Sequence, residues 1–263
     1  MTVDGRRKLR GSWTLIAWLL LILSGGLMTS LLRAPLVLSS VMSILVTFHL
    51  IGGAILAMIA VGLISVSGGT RWWRVLLVAA TPMCGWLAHR SFSPDAAAAH
   101  AAVAAFATIA LARFPGGTRT DRPHPHPERR WATVLSRVGF GLILVQVAAG
   151  AALRHHVTGL AWHLFIGGLA AMAVLGCAVP TTQDERMSRP ERRAAASVIA
   201  VIVVQVSLGT AVLFMILMGP PNAATWIATT VAHVLVGSLT LLAVGRFMWL
   251  LGAVISSAGG GAS

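Results

Sequence analysis

Eight apolar stretches, each long enough to cross a lipid bilayer as a helix, dominate this chain of 263 residues. A transmembrane helix needs about 20 consecutive apolar residues, because lipid cannot hydrogen-bond to an exposed backbone. Hydrophobic residues make up 57% of the chain and charged residues only 10%, which leaves little for a water-soluble surface. The sequence therefore predicts an all-α membrane protein with eight transmembrane helices, near residues 12–32, 40–66, 73–89, 96–113, 133–153, 160–179, 194–218 and 225–252.

The basic residues are distributed unevenly along the chain, whose formal net charge is +13. They collect in the N-terminal tail, after the second, fourth and sixth apolar stretches, and near the end of the eighth. This distribution follows the positive-inside rule, and it predicts a multi-pass protein of the inner (plasma) membrane with both termini in the cytoplasm. The lipid bilayer is then its main partner. No basic face is interleaved with aromatic residues, so nucleic acid is not expected as a partner.

A short motif recurs along the chain. The segment from Gln146 to Gly150 is repeated as Gln205 to Gly209, and each copy precedes a helix that contains a histidine. Looser versions, Gly25-Gly26 and Thr81 to Gly85, precede histidines in the first half. We interpret the repeated unit as a helical hairpin with a glycine on its first helix and a histidine on its second. The two glutamines are expected to make interhelical hydrogen bonds.

Two such hairpins make a four-helix bundle, so the repeats predict two pseudo-repeated four-helix bundles in one chain. Residues 1–118 are assigned to the N-terminal four-helix bundle and residues 131–263 to the C-terminal four-helix bundle. Residues 119–130, rich in arginine and proline, are assigned to a cytoplasmic linker between them.

Four histidines lie near the same end of alternate apolar stretches, and each has a small residue four positions later. An imidazole inside a membrane is costly unless it has a partner, and a single one is usually a hydrogen-bonded packing residue. Four at matched depth predict two axial pairs, each holding the iron of one heme. The small residue one turn away would leave space for the flat porphyrin. Zinc or copper is the weaker alternative, because no carboxylate or second thiolate clusters with these histidines. The candidate ligands and their small partners are His49 with Gly53, His100 with Ala104, His163 with Gly167, and His233 with Gly237.

Three arginines depart from the positive-inside pattern, namely Arg33, Arg90 and Arg154. Each ends an odd-numbered helix at the expected outer face, a few residues past the repeat glycine. Arginine pairs with carboxylates through two parallel hydrogen bonds, so we expect these residues to anchor heme propionates. Contact with lipid headgroups is the alternative.

The four histidines on even-numbered helices, the two Gln-x-x-x-Gly segments and the run from Gly150 to His155 resemble the heme A synthase family. The resemblance covers all eight helices. It implies an eight-helix protein of two related bundles that acts in cytochrome oxidase assembly. Heme O synthase and cytochrome oxidase assembly components are then the implied partners, and a homo-oligomer is left open.

By this resemblance, His49 and His100 would hold the substrate heme, either heme O or its product heme A, in the N-terminal bundle. His163 and His233 would ligate heme b in the C-terminal bundle. The implied reaction oxidises the methyl group of heme O to the formyl group of heme A, and electrons leave through the second heme.

Two features depart from the family pattern. Family members carry a glutamate one turn before the histidine of helix two, where this chain reads Leu45 to His49 without an acidic residue. None of the seven acidic residues falls inside an apolar stretch, and residues 33–40 lack the cysteine pair of many bacterial members. No catalytic residue is therefore assigned. Three functions remain open: a heme A synthase-type oxidoreductase, a diheme b-type cytochrome that only passes electrons, and a heme-handling assembly factor without redox turnover.

Overall fold

The computed structural model of the protein describes residues 14–25, 27, 39–66, 72–91, 93–112, 127–220 and 222–252. These residues form eight helices and no strand, as the sequence predicted for the fold class. The helices are α1 (Thr14–Gly25), α2 (Ser39–Val66), α3 (Trp72–Ser91), α4 (Pro94–Leu111), α5 (Pro127–Arg154), α6 (Leu160–Gln183), α7 (Arg189–Met218) and α8 (Ala223–Gly252).

Five of these helices, α4 to α8, are long and apolar enough to cross a membrane, whereas the described apolar parts of α1 and α2 are shorter. Large apolar side chains point away from the protein interior, among them Met83 on α3 and Phe214 on α7, whose exposed fractions are 72% and 62%. An outward apolar face of this kind is expected where lipid, rather than water, surrounds a helix. The length and the outer surface of the helices thus both indicate a membrane-embedded protein.

Local sequence signals explain where several helices begin and end. Ser93 caps α4 by accepting a hydrogen bond from the Ala96 N–H, and a proline at the first helical position follows it. Helix α7 ends at Gly219, whose φ of 83° is a backbone conformation that favours glycine. Helix α5 begins at Pro127, so the last four residues that we assigned to the linker are helical. The linker residues before Pro127 lie outside the described part of the chain.

The last four helices form a closed ring. Helix α5 packs on α6, α6 on α7, α7 on α8, and α8 packs back on α5. Their shared core contains Val174, Val198, Leu241 and Phe247, all fully buried. This order places α6 and α8 across the diagonal of the ring, where their side chains, rather than their backbones, face each other.

The first four helices have a matching order. Helix α2 packs on α3 and α3 on α4. Helix α1 completes the ring, since the Trp18 indole N–H donates to the Ala104 carbonyl on α4 at 3.0 Å and Leu21 packs on Gly52 of α2. Helices α2 and α4 are therefore the diagonal pair. Helix α4 also contacts α5 and α8, which joins the two groups of four helices.

A buried ion pair connects the first turns of α5 and α7. The Arg129 side chain, 2% exposed, donates to Oε1 of Glu191, whose side chain is 5% exposed. The other carboxylate oxygen of Glu191 accepts from the backbone N–H and the hydroxyl of Ser188, at 2.8 and 2.9 Å. Ser188 in turn caps α7 by accepting from the Glu191 N–H, which completes a capping box. One carboxylate thus fixes the start of α7 and its contact with α5.

An exposed ion pair near the same end of the ring contrasts with this buried one. Arg186 lies between α6 and α7 and is half exposed, and its Nε donates to Oδ1 of Asp184 at 2.9 Å. This hydrogen bond to the Asp184 carboxylate raises the pKa of Arg186. Solvent screens such a pair, so it contributes little to stability.

Replacing Glu191 with glutamine should lower the thermal unfolding midpoint of the detergent-solubilised protein, because it removes the carboxylate charge that pairs with the buried Arg129 guanidinium. Breaking a buried ion pair on one side typically costs about 3–5 kcal/mol. The double variant Arg129→Met with Glu191→Gln should recover most of the loss, since glutamine still serves a capping box and no buried charge remains. Arg186→Gln is the control and should leave the midpoint unchanged. Equal midpoints for wild type and Glu191→Gln would contradict the assigned role of the pair.

Candidate functional site: two histidine pairs

Each group of four helices contains one pair of facing histidines, on the helices that lie across its diagonal. The ring centroids of His49 on α2 and His100 on α4 are 5.8 Å apart, and their planes are inclined at 83°. Those of His163 on α6 and His233 on α8 are 6.5 Å apart at 76°. The four residues singled out by sequence spacing are thus brought together two by two, with all four rings half-buried.

Each histidine packs against a glycine of the preceding helix. A β-carbon added at Gly25, Gly85 or Gly150 would lie 2.9 Å from Cε1 of the neighbouring histidine ring, and one added at Gly209 would lie 3.1 Å from it. These distances are shorter than ordinary van der Waals contacts, so any larger residue would push the imidazole aside. The same glycine–histidine contact therefore occurs in four successive hairpins and explains the spacing seen in the sequence.

Nδ1 of each histidine in the N-terminal pair has a hydrogen-bonding partner on the preceding helix. Nδ1 of His100 lies 3.0 Å from the Thr81 carbonyl oxygen, which can only accept a hydrogen bond. Nδ1 of His49 lies 3.0 Å from the Ser24 hydroxyl, whose own proton is donated to the Leu21 carbonyl. Nδ1 of His100 is therefore a donor, so in the neutral ring its Nε2 keeps a lone pair. The Ser24 hydroxyl can accept from Nδ1 of His49 in the tautomer that leaves Nε2 of His49 with a lone pair. That is the state required of a metal ligand.

Two glutamines contact the histidines of the C-terminal pair. The amide nitrogen of Gln146 lies 3.1 Å from Nδ1 and 3.2 Å from Nε2 of His163, and that of Gln205 lies 3.5 Å from Nε2 of His233. The interhelical contacts expected of these glutamines are thus made to histidines. Their carboxamides also fill the space beside Gly167 and Gly237, where β-carbons would lie 2.8 and 3.3 Å from the amide nitrogens.

The space beside the N-terminal pair is open. A cavity of about 60 Å³ lies between His49 and His100, and nothing approaches the position of a β-carbon on Gly53. Its other walls are mostly apolar, and they include Trp18 and the Thr81–Pro82 segment of α3. Such a volume holds a few water molecules. Among the lining residues that the structure describes, none is acidic.

The three arginines expected at the outer face have different surroundings. Arg154, at the end of α5, is close enough to His233 for an electrostatic interaction between the two side chains. Arg90 is exposed at the end of α3, and its guanidinium lies 5.9 Å from the centroid of the Trp86 ring. Arg33 lies outside the described residues. A role as a propionate anchor remains a prediction for all three.

The chemistry of the two pairs limits the metals that they could hold. Within the described ranges, no group of three or more histidine, cysteine or acidic side chains is placed to bind a metal ion. Each pair thus offers two imidazoles and no further side-chain ligand of these types. Two imidazoles on opposite sides of one metal ion, with metal–nitrogen bonds of about 2 Å, have ring centroids roughly 6 Å apart. Both observed separations are close to this value.

Comparisons with known proteins supply no relative. No protein-family model, curated protein or solved structure matches this chain. The functional argument consequently depends on the residues themselves.

Two elements of the site were not predicted from sequence. The Ser24 hydroxyl holds Nδ1 of His49, and a polar residue directly before the repeat glycine was the available signal. The Thr81 carbonyl has the same role for His100. No side-chain pattern marks a backbone carbonyl as a hydrogen-bond acceptor, so sequence alone could not identify it.

Gly150→Ala should destabilise the detergent-solubilised protein by about 1–3 kcal/mol, the usual cost of overfilling a packed interior, because the new methyl group meets the His163 ring. The control is Gly141→Ala on the same helix, where nothing lies within 4 Å of the added β-carbon. This control should be neutral or stabilising, because alanine favours a helix more than glycine does. The thermal unfolding midpoints of the two variants provide the test. Equal midpoints would show that the glycine–histidine contact is not tight.

Proposed function

We propose that this chain is a multi-pass membrane protein of the heme A synthase type, which binds two hemes through its two histidine pairs. The observation that carries the proposal is the facing of two imidazoles across each ring of four helices, at centroid separations of 5.8 and 6.5 Å. A porphyrin supplies four nitrogen ligands in its plane, so its iron requires from the protein only the two axial ligands that each pair offers. The pseudo-repeated bundles and the eight membrane spans are part of the same proposal.

The hydrogen bonds of the N-terminal pair support this assignment. A histidine that ligates iron through Nε2 normally donates its Nδ1–H to an acceptor, which sets the ring orientation and raises its basicity. For His49 and His100, the Ser24 hydroxyl and the Thr81 carbonyl can serve as such acceptors.

Heme binding requires more space than the rings provide in this structure. The cavity between His49 and His100 is about 60 Å³, whereas pockets for ligands of drug size have volumes of about 300–1,000 Å³. We therefore expect the α1–α2 hairpin to move apart from the α3–α4 hairpin when the porphyrin enters. The indole of Trp18 bridges these hairpins by its hydrogen bond to the Ala104 carbonyl. In the C-terminal ring, Gln146 and Gln205 would have to turn aside.

As a heme A synthase, the protein would convert a methyl substituent of heme O to the formyl group of heme A. His49 and His100 would hold this substrate, while His163 and His233 would hold a heme b that accepts the electrons. The oxidation would take up one oxygen atom from water and release four protons and four electrons, and heme b would pass the electrons one at a time to an external acceptor. The polar side chains among the described residues that line the cavity are neutral, so water admitted through the cavity would have to carry the protons away.

A diheme b-type cytochrome is the second candidate. It is favoured by the described residues that line the N-terminal cavity, none of which has a carboxylate that could accept a proton beside the substrate. An electron carrier needs the same axial ligands but no proton acceptor at the heme edge. The two candidate functions thus use the same heme sites and differ in the reaction at the N-terminal site.

The pigment of the purified protein tests heme binding. We expect two hemes per chain, about half of that after His49→Ala or after His163→Ala, and none when all four histidines are alanine. The heme content is measured as Soret absorbance per amount of protein. His89→Ala, at an exposed histidine of α3, is the control and should retain both hemes.

An intact Soret band in the fourfold variant, or a wild-type protein that takes up no heme on reconstitution, would disprove the proposed sites. Extraction of the pigment separates the two candidates. Heme O or heme A beside heme b supports the synthase, and heme b alone supports the electron carrier. Pyridine hemochrome spectra distinguish these hemes.

Replacing Arg154 with leucine should lower the heme content of the C-terminal pair or shift its reduction potential, because a propionate would lose a charged partner near His233. Arg90→Leu is the matched comparison at the end of α3, where the guanidinium contacts Trp86. Redox titration followed by optical spectroscopy measures both properties. Spectra and potentials equal to those of wild type in Arg154→Leu would exclude a propionate contact.

A further inference from the structure

We propose that the Thr81–Pro82 segment of α3 is a hinge, at which the second half of this helix swings away from His100 and enlarges the N-terminal cavity. The inference rests on the function proposed above, because heme needs more space than the cavity of about 60 Å³ provides. Both hinge residues line that cavity. The first half of α3 is defined as residues 72–80 and the second half as residues 83–91.

Two neighbouring residues weaken α3 at this point. Pro82 lies inside the helix and has no N–H, so the Val78 carbonyl cannot receive the hydrogen bond that residue 82 would otherwise donate. The Thr81 hydroxyl donates to the Leu77 carbonyl at 3.1 Å, a side-chain contact that often bends helices. Sharp bends of helices occur at prolines, so α3 can change direction here at a lower cost than elsewhere along its length.

The two halves of α3 are held differently by the rest of the protein. In the first half, Val78 is fully buried in the core of the first four helices, and Arg74 donates to the Ala112 carbonyl at the end of α4 at 3.0 Å. In the second half, Gly85 is the only buried residue, and six of the nine residues are exposed. A segment with few buried contacts moves at a low cost in free energy. The first half is therefore the fixed part, and the second half is the part that moves.

The position of the hinge preserves the hydrogen bond of His100. Nδ1 of His100 lies 3.0 Å from the carbonyl oxygen of Thr81, which is part of the hinge itself. The ring also packs against Gly85, one turn into the second half, where an added β-carbon would lie 2.9 Å from Cε1. A swing about Pro82 therefore moves Gly85 away from the ring while the Thr81 carbonyl stays in place. Space opens beside the imidazole, and no buried ring donor loses its acceptor.

Hydrogen exchange of the backbone amides tests the hinge without any ligand. In the full-length wild-type protein, we expect residues 83–91 to exchange faster than residues 72–80, as followed by mass spectrometry of peptides. Pro82→Ala supplies an N–H that can bond to the Val78 carbonyl, and removal of a proline from a helix interior favours the helix. Exchange of residues 83–91 should then slow by about tenfold, because opening breaks an additional helical hydrogen bond.

The rate of heme uptake links the hinge to the site. In a His163→Ala background, only the N-terminal pair contributes a Soret signal after the protein is mixed with heme. Pro82→Ala should slow the appearance of this signal by about tenfold, because the open form that admits the ligand is populated less. Pro180→Ala is the matched control. Pro180 also lies inside a helix, α6, but it is not among the described residues that line the N-terminal cavity, so neither rate should change.

Equal exchange on the two sides of Pro82 in the wild type, or unchanged exchange in Pro82→Ala, would show that α3 has no hinge there. Slower exchange in Pro82→Ala with an unchanged rate of heme uptake would show that the hinge does not serve the site, and would also overturn the inference. A His163→Ala protein that takes up no heme would instead contradict the proposed function, while the exchange measurements would still decide whether α3 opens at Pro82. If Pro82→Ala fails to fold, the comparison of the two halves in the wild type decides the question.

Discussion

The structure depends on one constraint, which is that an imidazole in an apolar bundle needs a hydrogen-bond partner. An unpaired buried donor costs about 1–3 kcal/mol, so a histidine in this environment must lie against an acceptor. In the first two hairpins the acceptor belongs to the preceding helix, as Ser24 does for His49 and Thr81 for His100. Such a contact requires the two helices to approach closely, and a glycine on the first helix permits it.

Because the helices form closed rings, histidines from different hairpins are brought together. Consecutive helices are neighbours in each ring, so the histidines on alternate helices lie across a diagonal and face each other. The two rings differ in the residue one turn before the glycine. Leu21 and Thr81 leave a cavity beside the N-terminal pair, whereas Gln146 and Gln205 fill the corresponding space of the C-terminal pair. The same framework thus holds two sites with different polarity.

Sequence reasoning predicted the helices and the histidine pairs because both depend on regular spacing. Apolar length alone located α5 to α8, and the fixed distance between glycine and histidine defined the hairpins. It was less accurate where contacts between residues distant in sequence determine where a helix begins or which side chains meet. The start of α5 was placed after residue 130, since Arg129 resembled part of a charged linker, yet Glu191 from α7 neutralises it inside the protein. The contact of Gln146 with His163 likewise depends on the rotation of α5 against α6.

Charge balance supports a porphyrin rather than a free metal ion between these rings. The described residues that line the cavity beside the N-terminal pair are neutral. A divalent cation held there by two neutral imidazoles would be an uncompensated charge in an apolar interior, which is strongly unfavourable. A porphyrin has two negative charges of its own and forms a neutral complex with ferrous iron. The pair His49 and His100 would then need to supply only lone pairs, which is what their hydrogen bonds to Ser24 and Thr81 leave available.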